Sequence, residues 1–337
     1  MLPWVRLKEL VAEVRRLIPL SAQHDERSWR KRGLKALGRL ELDAESLPVD
    51  ADGMKWKPTF YGRRMLIGRL TATASSMQPM PNLLRQWLYR GLLHDLDLVN
   101  AHPTILLGFA KMLRPQTWQR DVPVLAEYVG EFRNNFLDRI VRWYGLPSNI
   151  AKTAILVVIN GGDLRYWRTK VKSPESPLKP DLPKLVALRA EALWIRDTIV
   201  FVESFFAPHL PPLLDRLRVV PRRVARKEEE HKRSALAYVL GHVESMAIEA
   251  ACPVLERHGF SPTSLIFDGA LTTHNPSGDL PVALAEAKVA MAKAVGFEGL
   301  ELKEKDMFNL DPFSLSHDSR DVARQAVVEA IMHDEGD

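Results

Sequence analysis

Two aspartates, Asp97 and Asp268, have the clearest potential for chemistry in this 337-residue sequence. Asp97 lies near the end of the leucine-rich, strand-like run from Leu92 to Val99, and Asp268 lies between the apolar segments 265–267 and 270–271. Each carboxylate is therefore predicted at the end of a strand, where a rigid element can hold it at a cleft. Paired carboxylates suit Mg²⁺, which prefers oxygen ligands and keeps water or phosphate in its other positions. Two such ions about 4 Å apart can activate a 3′-hydroxyl and stabilise a leaving pyrophosphate.

Each aspartate also has an ordinary structural explanation. Asp97 could cap the following turn or helix, and Asp268 could simply form a hairpin turn. Asp95 precedes Asp97 by two residues, so on a strand both would face the same side. Asp95 is therefore a secondary candidate, although it lies farther from the turn.

Three groups of elements must position these residues. We predict a strand over 92–99, a turn over 100–103, and a helix with Pro103 in its first turn. A second helix over 149–159 should end at Asn160-Gly161-Gly162. A long helix over 232–258 should lead into a β-hairpin over 264–271, with Asp268-Gly269 as its turn.

The remaining segments are less informative. We predict helices over the first forty residues, over 185–207 and over 319–332, and a surface loop over 170–184.

Four sequence blocks, taken in order, resemble the palm and fingers of family A DNA polymerases and the related single-subunit RNA polymerases. The blocks are Gly68-Arg69-Leu70-Thr71-Ala72 with Gln78-Pro79-Met80-Pro81 and Arg85-Gln86; Asp97-Leu98-Val99-Asn100-Ala101-His102; Lys152 with Asn160-Gly161; and Phe267-Asp268-Gly269. The separations are 55 residues from Asp97 to Lys152 and 116 from Lys152 to Asp268, which also suit the family. The resemblance covers roughly residues 66–275.

The resemblance implies a role for each matched residue. Asp97 and Asp268 would bind two Mg²⁺ ions, for which Mn²⁺ can substitute, and the Leu98 carbonyl would add a ligand. Lys152 would meet the incoming triphosphate and act with the two aspartates in catalysis. The nucleotide-binding set would be Lys152, Leu156, Asn160 and His102, and the nucleic-acid-binding set Arg69, Gln78 and Arg85.

Ordinary alternatives stay open for these residues as well. Lys152 could be a solvated helix lysine, Arg69 could form a surface salt bridge, and His102 could bond to backbone at a helix start. Glu244 falls on an apolar face of the long predicted helix and should need a basic partner if it is buried.

Several positions depart from the family pattern. His102 stands where the DNA-polymerising members have a glutamate, and Asn160 stands at the fingers tyrosine. Leu156 replaces an aromatic residue or methionine, and Ser148 a fingers arginine. Phe267 and Gly269 replace the usual neighbours of the second aspartate. The metal chemistry is unaffected by these changes, but His102 and Asn160 predict relaxed discrimination between deoxyribose and ribose.

Composition is compatible with this interpretation without proving it. The formal charge of +5 favours a polyanionic partner. Segment 216–233 is rich in Lys and Arg, so Arg222, Arg223 and Arg226 could grip template phosphates, or the segment could be a solvated basic loop. The single cysteine excludes an internal disulfide. Charges throughout the first twenty residues and the lack of a ~20-residue apolar run predict a soluble cytoplasmic protein without a membrane partner.

The expected architecture is an α+β right-hand polymerase fold with a small antiparallel-sheet palm, largely helical fingers and a reduced thumb. We expect an N-terminal helical region over 1–66, palm over 67–110, fingers over 111–239, palm again over 240–312, and a C-terminal tail over 313–337. Only 67 residues precede Gly68, so no proofreading exonuclease is expected.

The expected partners are primer–template nucleic acid, nucleoside triphosphates and a replication protein such as a helicase. A primase-like or RNA-polymerising relative, a non-catalytic nucleic-acid-binding relative, and a DxD glycosyltransferase using Asp95 and Asp97 are the alternatives.

Overall fold

The protein is described here by a computed structural model. It describes residues 91–305 apart from 131–132, 147, 172–179 and 221–226. Before residue 91 it describes 61–63, 65, 67–72, 78, 85, 88–89 and a few isolated positions. Most of the predicted N-terminal helical region, the predicted helix over 319–332, and Arg222, Arg223 and Arg226 lie outside these residues.

A four-stranded antiparallel sheet forms the centre of the described region, in the order β6-β7-β5-β8. Its strands are β5 (Leu93–Leu98), β6 (Pro262–Ile266), β7 (Gly269–Thr273) and β8 (Leu302–Lys305). Two small ribbons precede it, β1 (Leu2–Pro3) with β2 (Met54–Lys55), and β3 (Tyr61–Gly62) with β4 (Thr71–Ala72). Because β5 is internal to the sheet, the Asp97 backbone is held from both sides.

Helices make up most of the remaining described chain, and their bounds are as follows. They are α1 (Ala101–Leu113), α2 (Trp118–Asp121), α3 (Pro123–Val129), α4 (Arg133–Tyr144), α5 (Ser148–Ile159), α6 (Leu164–Val171), α7 (Pro183–Trp194), α8 (Leu210–Val219), α9 (Glu228–Arg257) and α10 (Leu280–Val295), with a π-helix over Ile195–Val200 and a 3₁₀ turn over Ala207–His209. Mixed helix and small antiparallel sheets confirm the α+β class.

The start of α1 sets the direction in which the chain leaves β5. Asn100 adopts the left-handed conformation, with φ of 54°, and the helix then starts at Ala101. The first ten residues of α1 are buried, which places His102 inside the protein rather than on an outer face.

The 30-residue helix α9 is the main support of the site described below. It packs along α10, and its middle turns face the segment 67–72. The Gly68 amide donates to His242 Nδ1 over 3.3 Å, and the Leu70 amide donates to Ser245 Oγ over 3.0 Å. A Cβ on Gly68 would lie 2.6 Å from the Tyr238 ring, so the close approach of this segment to α9 depends on glycine.

Several sequence predictions need correction. The hairpin turn consists of Phe267 and Asp268, with Gly269 already the first residue of β7; the prediction of an Asp-Gly turn was wrong by one position. The long helix begins at Glu228 rather than 232, because three glutamates suit the positive end of the helix dipole.

The segment 185–207 is not one continuous α-helix. It passes from α7 into the π-helix and then into turns. Helices also extend into both ends of the loop predicted over 170–184. Within the described ranges, none of the helices combines the length and apolar character needed to cross a bilayer.

Candidate active site

The structure brings Asp97 and Asp268, here called the aspartate pair, to the same corner of the sheet. Asp97 is paired in register with Gly269, the residue after Asp268. The Leu98 amide donates to the carbonyl oxygen of Asp268 over 2.9 Å. Two aspartates that lie 171 positions apart in the sequence are thus brought together by backbone pairing of their immediate neighbours, Leu98 and Gly269.

The hairpin between β6 and β7 reaches this corner through two special residues. Phe267 adopts a left-handed conformation, with φ of 43°, which is uncommon for a residue with a bulky side chain. A Cβ on Gly269 would lie 2.1 Å from the Leu96 carbonyl oxygen and 3.2 Å from Asp97 Cα. β7 can therefore approach β5 this closely only with glycine at position 269.

The negative charge of the aspartate pair is only partly balanced by nearby positive charge. Burial and the charge of Asp268 raise the pKa of Asp97 from 3.8 to about 7, despite the opposing effect of Lys305. Lys305 Nζ lies 2.7 Å from Asp97 Oδ2. Asp97 therefore faces a like charge and already holds one cationic partner.

The donor atoms at this corner fit a hard divalent cation. The aspartate pair offers two carboxylates, and a site of this kind suits Mg²⁺, which retains waters or phosphate oxygens in its remaining positions. In the described part of the chain, no cluster of three or more His, Cys, Asp or Glu side chains has the geometry of a metal site. A metal here would thus depend on oxygen ligands from outside the protein, as well as on the Leu98 carbonyl.

Next to the aspartate pair lies a charge cluster of Arg69, His102 and Glu244, here called the buried charge cluster because Glu244 and His102 are buried, while Arg69 is about one third exposed. Arg69 Nε donates to Glu244 Oε2 over 2.7 Å, and His102 Nε2 lies 3.1 Å from Glu244 Oε1. Glu244 is only 1% exposed. Burial alone would raise the pKa of Glu244, but Arg69 and His102 lower it to about 2. The expectation of a basic partner for Glu244 is confirmed.

Arg69 connects this cluster to the aspartate pair. Burial lowers its pKa, but the charges of Glu244, Asp268 and Asp97 outweigh that effect and raise it above the ordinary value. The Arg69 guanidinium also lies over the Phe267 ring, 5.6 Å from its centroid. A Cβ on Gly241 would lie 2.5 Å from Arg69 Cγ, so α9 leaves a groove for the arginine side chain.

Gln78 and Arg85 are both buried. The Gln78 amide donates to the Leu70 carbonyl and its oxygen accepts from the Ala72 amide, each over 2.9 Å. Gln78 thus fixes the segment that carries Arg69, and its contact with nucleic acid stays a prediction.

The predicted triphosphate-binding residues lie on or just after α5. Lys152 is exposed, whereas Asn160 is buried and Leu156 is half-buried. The Asn160 side-chain amide donates to the Leu156 carbonyl over 2.9 Å. Among the described residues, no hydrogen bond or ion pair links Lys152 to the aspartate pair, so its role stays a prediction.

Lys305 is the residue at this corner that sequence reasoning missed. It ends β8, whose sequence Leu-Lys-Glu-Lys has no apolar alternation beyond Leu302. Its proximity to Asp97 arises from pairing between β5 and β8, which are more than 200 residues apart in the sequence. No pattern in the local sequence predicts that β5 and β8 pair.

The fold is similar to that of the POL domain of Pol1 from M. smegmatis, solved in complex with DNA primer-template and dNTP. The TM-score is 0.52 at 12% sequence identity. The match covers 90% of this chain, which spans 66% of that chain. At this identity the similarity concerns the fold, which is polymerase-like. No protein-family model matches the sequence, and comparison with curated proteins gives no match.

Proposed function

We propose that this chain is a template-directed nucleotidyltransferase that extends a nucleic-acid 3′-hydroxyl from nucleoside triphosphates. The observation that carries the proposal is the aspartate pair. Asp97 on β5 is paired with Gly269, the residue after Asp268 in the hairpin turn, and the charge of Asp268 helps to raise the pKa of Asp97, so a cation bound between the two carboxylates would be stabilised. The polymerase-like fold supports the same conclusion. We propose a DNA polymerase of the family A type with relaxed sugar selection.

In this proposal Asp97 and Asp268, with the Leu98 carbonyl, hold Mg²⁺. When bound, the metal supplies charge neutralisation at the phosphates and lowers the pKa of the attacking hydroxyl. Lys152 contacts the triphosphate, stabilises negative charge on the leaving pyrophosphate and donates a proton to it. Leu156 on the same helix and Asn160 just after its end are the other proposed nucleotide-binding residues of this segment.

Arg69 has a positioning role here. Its guanidinium is fixed by Glu244 at one edge and lies against Phe267, so its charge is held near the aspartate pair without entering into a bond with either carboxylate. We propose that it holds the primer strand or the triphosphate there by charge-assisted hydrogen bonds.

The domain assignment follows from the same proposal. In this assignment the palm consists of residues 67–110 and 240–312, which include the sheet of β5 to β8, most of α1, the later part of α9 and α10. The fingers are residues 111–239, which include the helices from α2 to α8 and the start of α9. Primer–template nucleic acid and nucleoside triphosphates are the proposed partners, and a replicative helicase or another replication protein is the proposed recruiting partner.

A glycosyltransferase that uses an Asp95–Asp97 motif is disfavoured by one observation. Asp95 is only 2% exposed, whereas a DxD motif needs both carboxylates to reach a metal–nucleotide. A non-catalytic relative is disfavoured by the preserved aspartate pair. A primase-like relative differs from the proposal only in starting chains without a primer.

Extension of a labelled primer–template in the presence of Mg²⁺ tests the proposal. Wild-type protein should extend the primer, whereas Asp97→Ala and Asp268→Ala should not. Asp215→Ala is a matched control because this exposed aspartate pairs with Arg218 on α8, and this variant should keep full activity. Extension that survives Asp97→Ala contradicts the assignment, and products formed without primer favour the primase-like alternative.

A further inference from the structure

The contact between Lys305 and Asp97 crosses the sheet diagonally. In the β5–β8 register, Lys305 lies opposite Asp95, and Lys303 lies opposite Asp97. Even so, Lys305 Nζ is 2.7 Å from Asp97 Oδ2, whereas Lys303 Nζ lies 3.5 Å from Glu301. The lysine that neutralises Asp97 is therefore not Lys303, which lies directly opposite it, but Lys305, the next lysine on the same face of the sheet.

This diagonal contact leaves Asp95 without an ion-pair partner within the described part of the chain. Asp95 is 2% exposed, and its Oδ2 is buried with no hydrogen-bond partner among the described residues. A buried carboxylate oxygen without a partner costs free energy. Because strand residues two apart share a face, Asp95 and Asp97 both lie on the side of the sheet where Lys305 extends.

We propose that Lys305 is a resident counter-ion of the aspartate pair, which a divalent cation must displace from Asp97, and that Asp95 receives the displaced ammonium. The inference rests on the proposed function, since it takes the aspartate pair to be a metal site. It adds a role for Lys305 and a competition between its ammonium and the divalent cation, neither of which is part of the proposed function.

The chemistry of lysine suits this exchange. Its ammonium is a compact charge with three donors on a flexible four-carbon stem. The Lys305 side chain is 39% exposed and that of Asp97 is 25% exposed, so the contact can open without unpacking the core. A cation at the aspartate pair would repel the ammonium, and the cross-strand Asp95 carboxylate offers it a new partner.

Direct measurement of Mn²⁺ binding by electron paramagnetic resonance tests the competition without relying on activity. Lys305→Met should bind Mn²⁺ about tenfold more tightly than wild type, because a charge-assisted contact no longer has to be broken. Lys305→Gln removes the same charge and serves as the second variant if the methionine variant does not fold. Lys305→Arg keeps the charge and should bind no more tightly than wild type.

Lys303→Met is the matched control for general electrostatics. It removes the same charge from the same strand, directly opposite Asp97, but Lys303 is 63% exposed and pairs with Glu301. Screening should limit its effect on Mn²⁺ affinity to roughly twofold. Equal tightening in Lys303→Met and Lys305→Met would overturn the proposed competition.

A double-mutant cycle isolates the role of Asp95. Asp95→Asn should weaken Mn²⁺ binding in the wild-type background, since the displaced lysine loses its alternative partner. The same change should have no effect on Mn²⁺ binding in the Lys305→Met background. Equal weakening of Mn²⁺ binding in both backgrounds would mean that Asp95 binds the ion directly or acts on it only through its negative charge. Either result would overturn its role as acceptor of the Lys305 ammonium.

Asp97→Asn separates failure of this inference from failure of the proposed function. If Asp97→Asn abolishes Mn²⁺ binding and Lys305→Met leaves the affinity unchanged, the metal site stands and the counter-ion role of Lys305 is overturned. If Mn²⁺ binding does not depend on Asp97, the metal site itself is overturned, and the inference with it.

Discussion

Arg69 and Glu244 form an ion pair across the interface between the segment 67–72 and helix α9, with Nε and Oε2 2.7 Å apart. Glu244 is almost fully buried, whereas a third of the Arg69 side chain is exposed. Glu244→Gln should therefore lower the free energy of unfolding by about 3 kcal/mol, because one charge of a buried pair is lost and the other stays. Chemical denaturation at neutral pH measures this.

Glu249→Gln is the matched control for that prediction. Glu249 lies on the same helix and pairs with Arg63 over 2.8 Å, but the side chains are 43% and 28% exposed. This change should cost less than about 1 kcal/mol. Similar losses of stability in the two variants would show that burial does not set the strength of the Arg69–Glu244 pair.

The raised pKa of Asp97 predicts a pH dependence of stability in metal-free buffer. Its pKa is about 7 in the folded protein against 3.8 as the ordinary value. Between these values the folded state holds a proton that the unfolded state has lost, so the contribution of Asp97 to stability falls as pH rises from about 4 to about 7. The stability of Asp97→Asn minus that of wild type should therefore be larger at pH 8 than at pH 5. A difference that stays constant between these pH values would contradict the assigned pKa.

Gly269 should not tolerate even a methyl group. Its Cβ would lie 2.1 Å from the Leu96 carbonyl oxygen, so Gly269→Ala must push β7 away from β5. We expect a loss of about 1–3 kcal/mol in unfolding free energy and a loss of metal binding. Gly130→Ala is the control, since its added methyl would come no closer than 3.2 Å to its nearest neighbour, the Ala126 carbonyl oxygen. Wild-type stability in Gly269→Ala would mean that the sheet has room there.

Lys152→Ala separates a catalytic role from a structural one. The side chain is exposed, so stability should change by less than about 0.5 kcal/mol. Extension activity should fall by roughly 100-fold or more if Lys152 meets the triphosphate and protonates the leaving group. Lys288→Ala, at an exposed position of α10, should leave extension unchanged. Full activity of Lys152→Ala would remove this lysine from the proposed site.

Sugar selection should be weak, since the positions expected to exclude ribose carry His102 and Asn160. His102 is held by Glu244 inside the buried charge cluster, and Asn160 bonds to its own helix. Extension assays with dNTP and rNTP should give comparable incorporation efficiencies. A preference for dNTP above about 1000-fold, equivalent to roughly 4 kcal/mol, would contradict the prediction.

Local sequence patterns predicted the elements that carry the site residues well. Strand β5 was expected over 92–99 and runs from Leu93 to Leu98. Helix α5 was expected over 149–159 and runs from Ser148 to Ile159. Three of the six residues of β5 are leucine, most of α5 is apolar, and each segment ends at a turn or glycine signal, so propensity and tertiary packing favour the same structure.

Features that depend on distant pairing could not be predicted in the same way. The edge strand β8 is mostly charged, so it gives no strand pattern. The π-helix after Trp194 continues an apolar helical pattern and differs from it only in the hydrogen-bond register. The contact between Lys305 and Asp97 depends on the pairing of β5 with β8 and on a side chain that reaches diagonally past Lys303, the register partner of Asp97. The cluster of Glu244 with Arg69 and His102 joins three separate parts of the chain.

The order of the strands in the sheet has a consequence for biosynthesis. Asp97 leaves the ribosome with β5, but β7 is made about 170 residues later, which takes on the order of ten to thirty seconds at usual rates of synthesis. During that time both edges of β5 lack their partners, and an early apolar strand with open edges is prone to wrong pairing. Any fragment that stops before residue 269 lacks β7, so the aspartate pair can form only after almost the whole described region has been made.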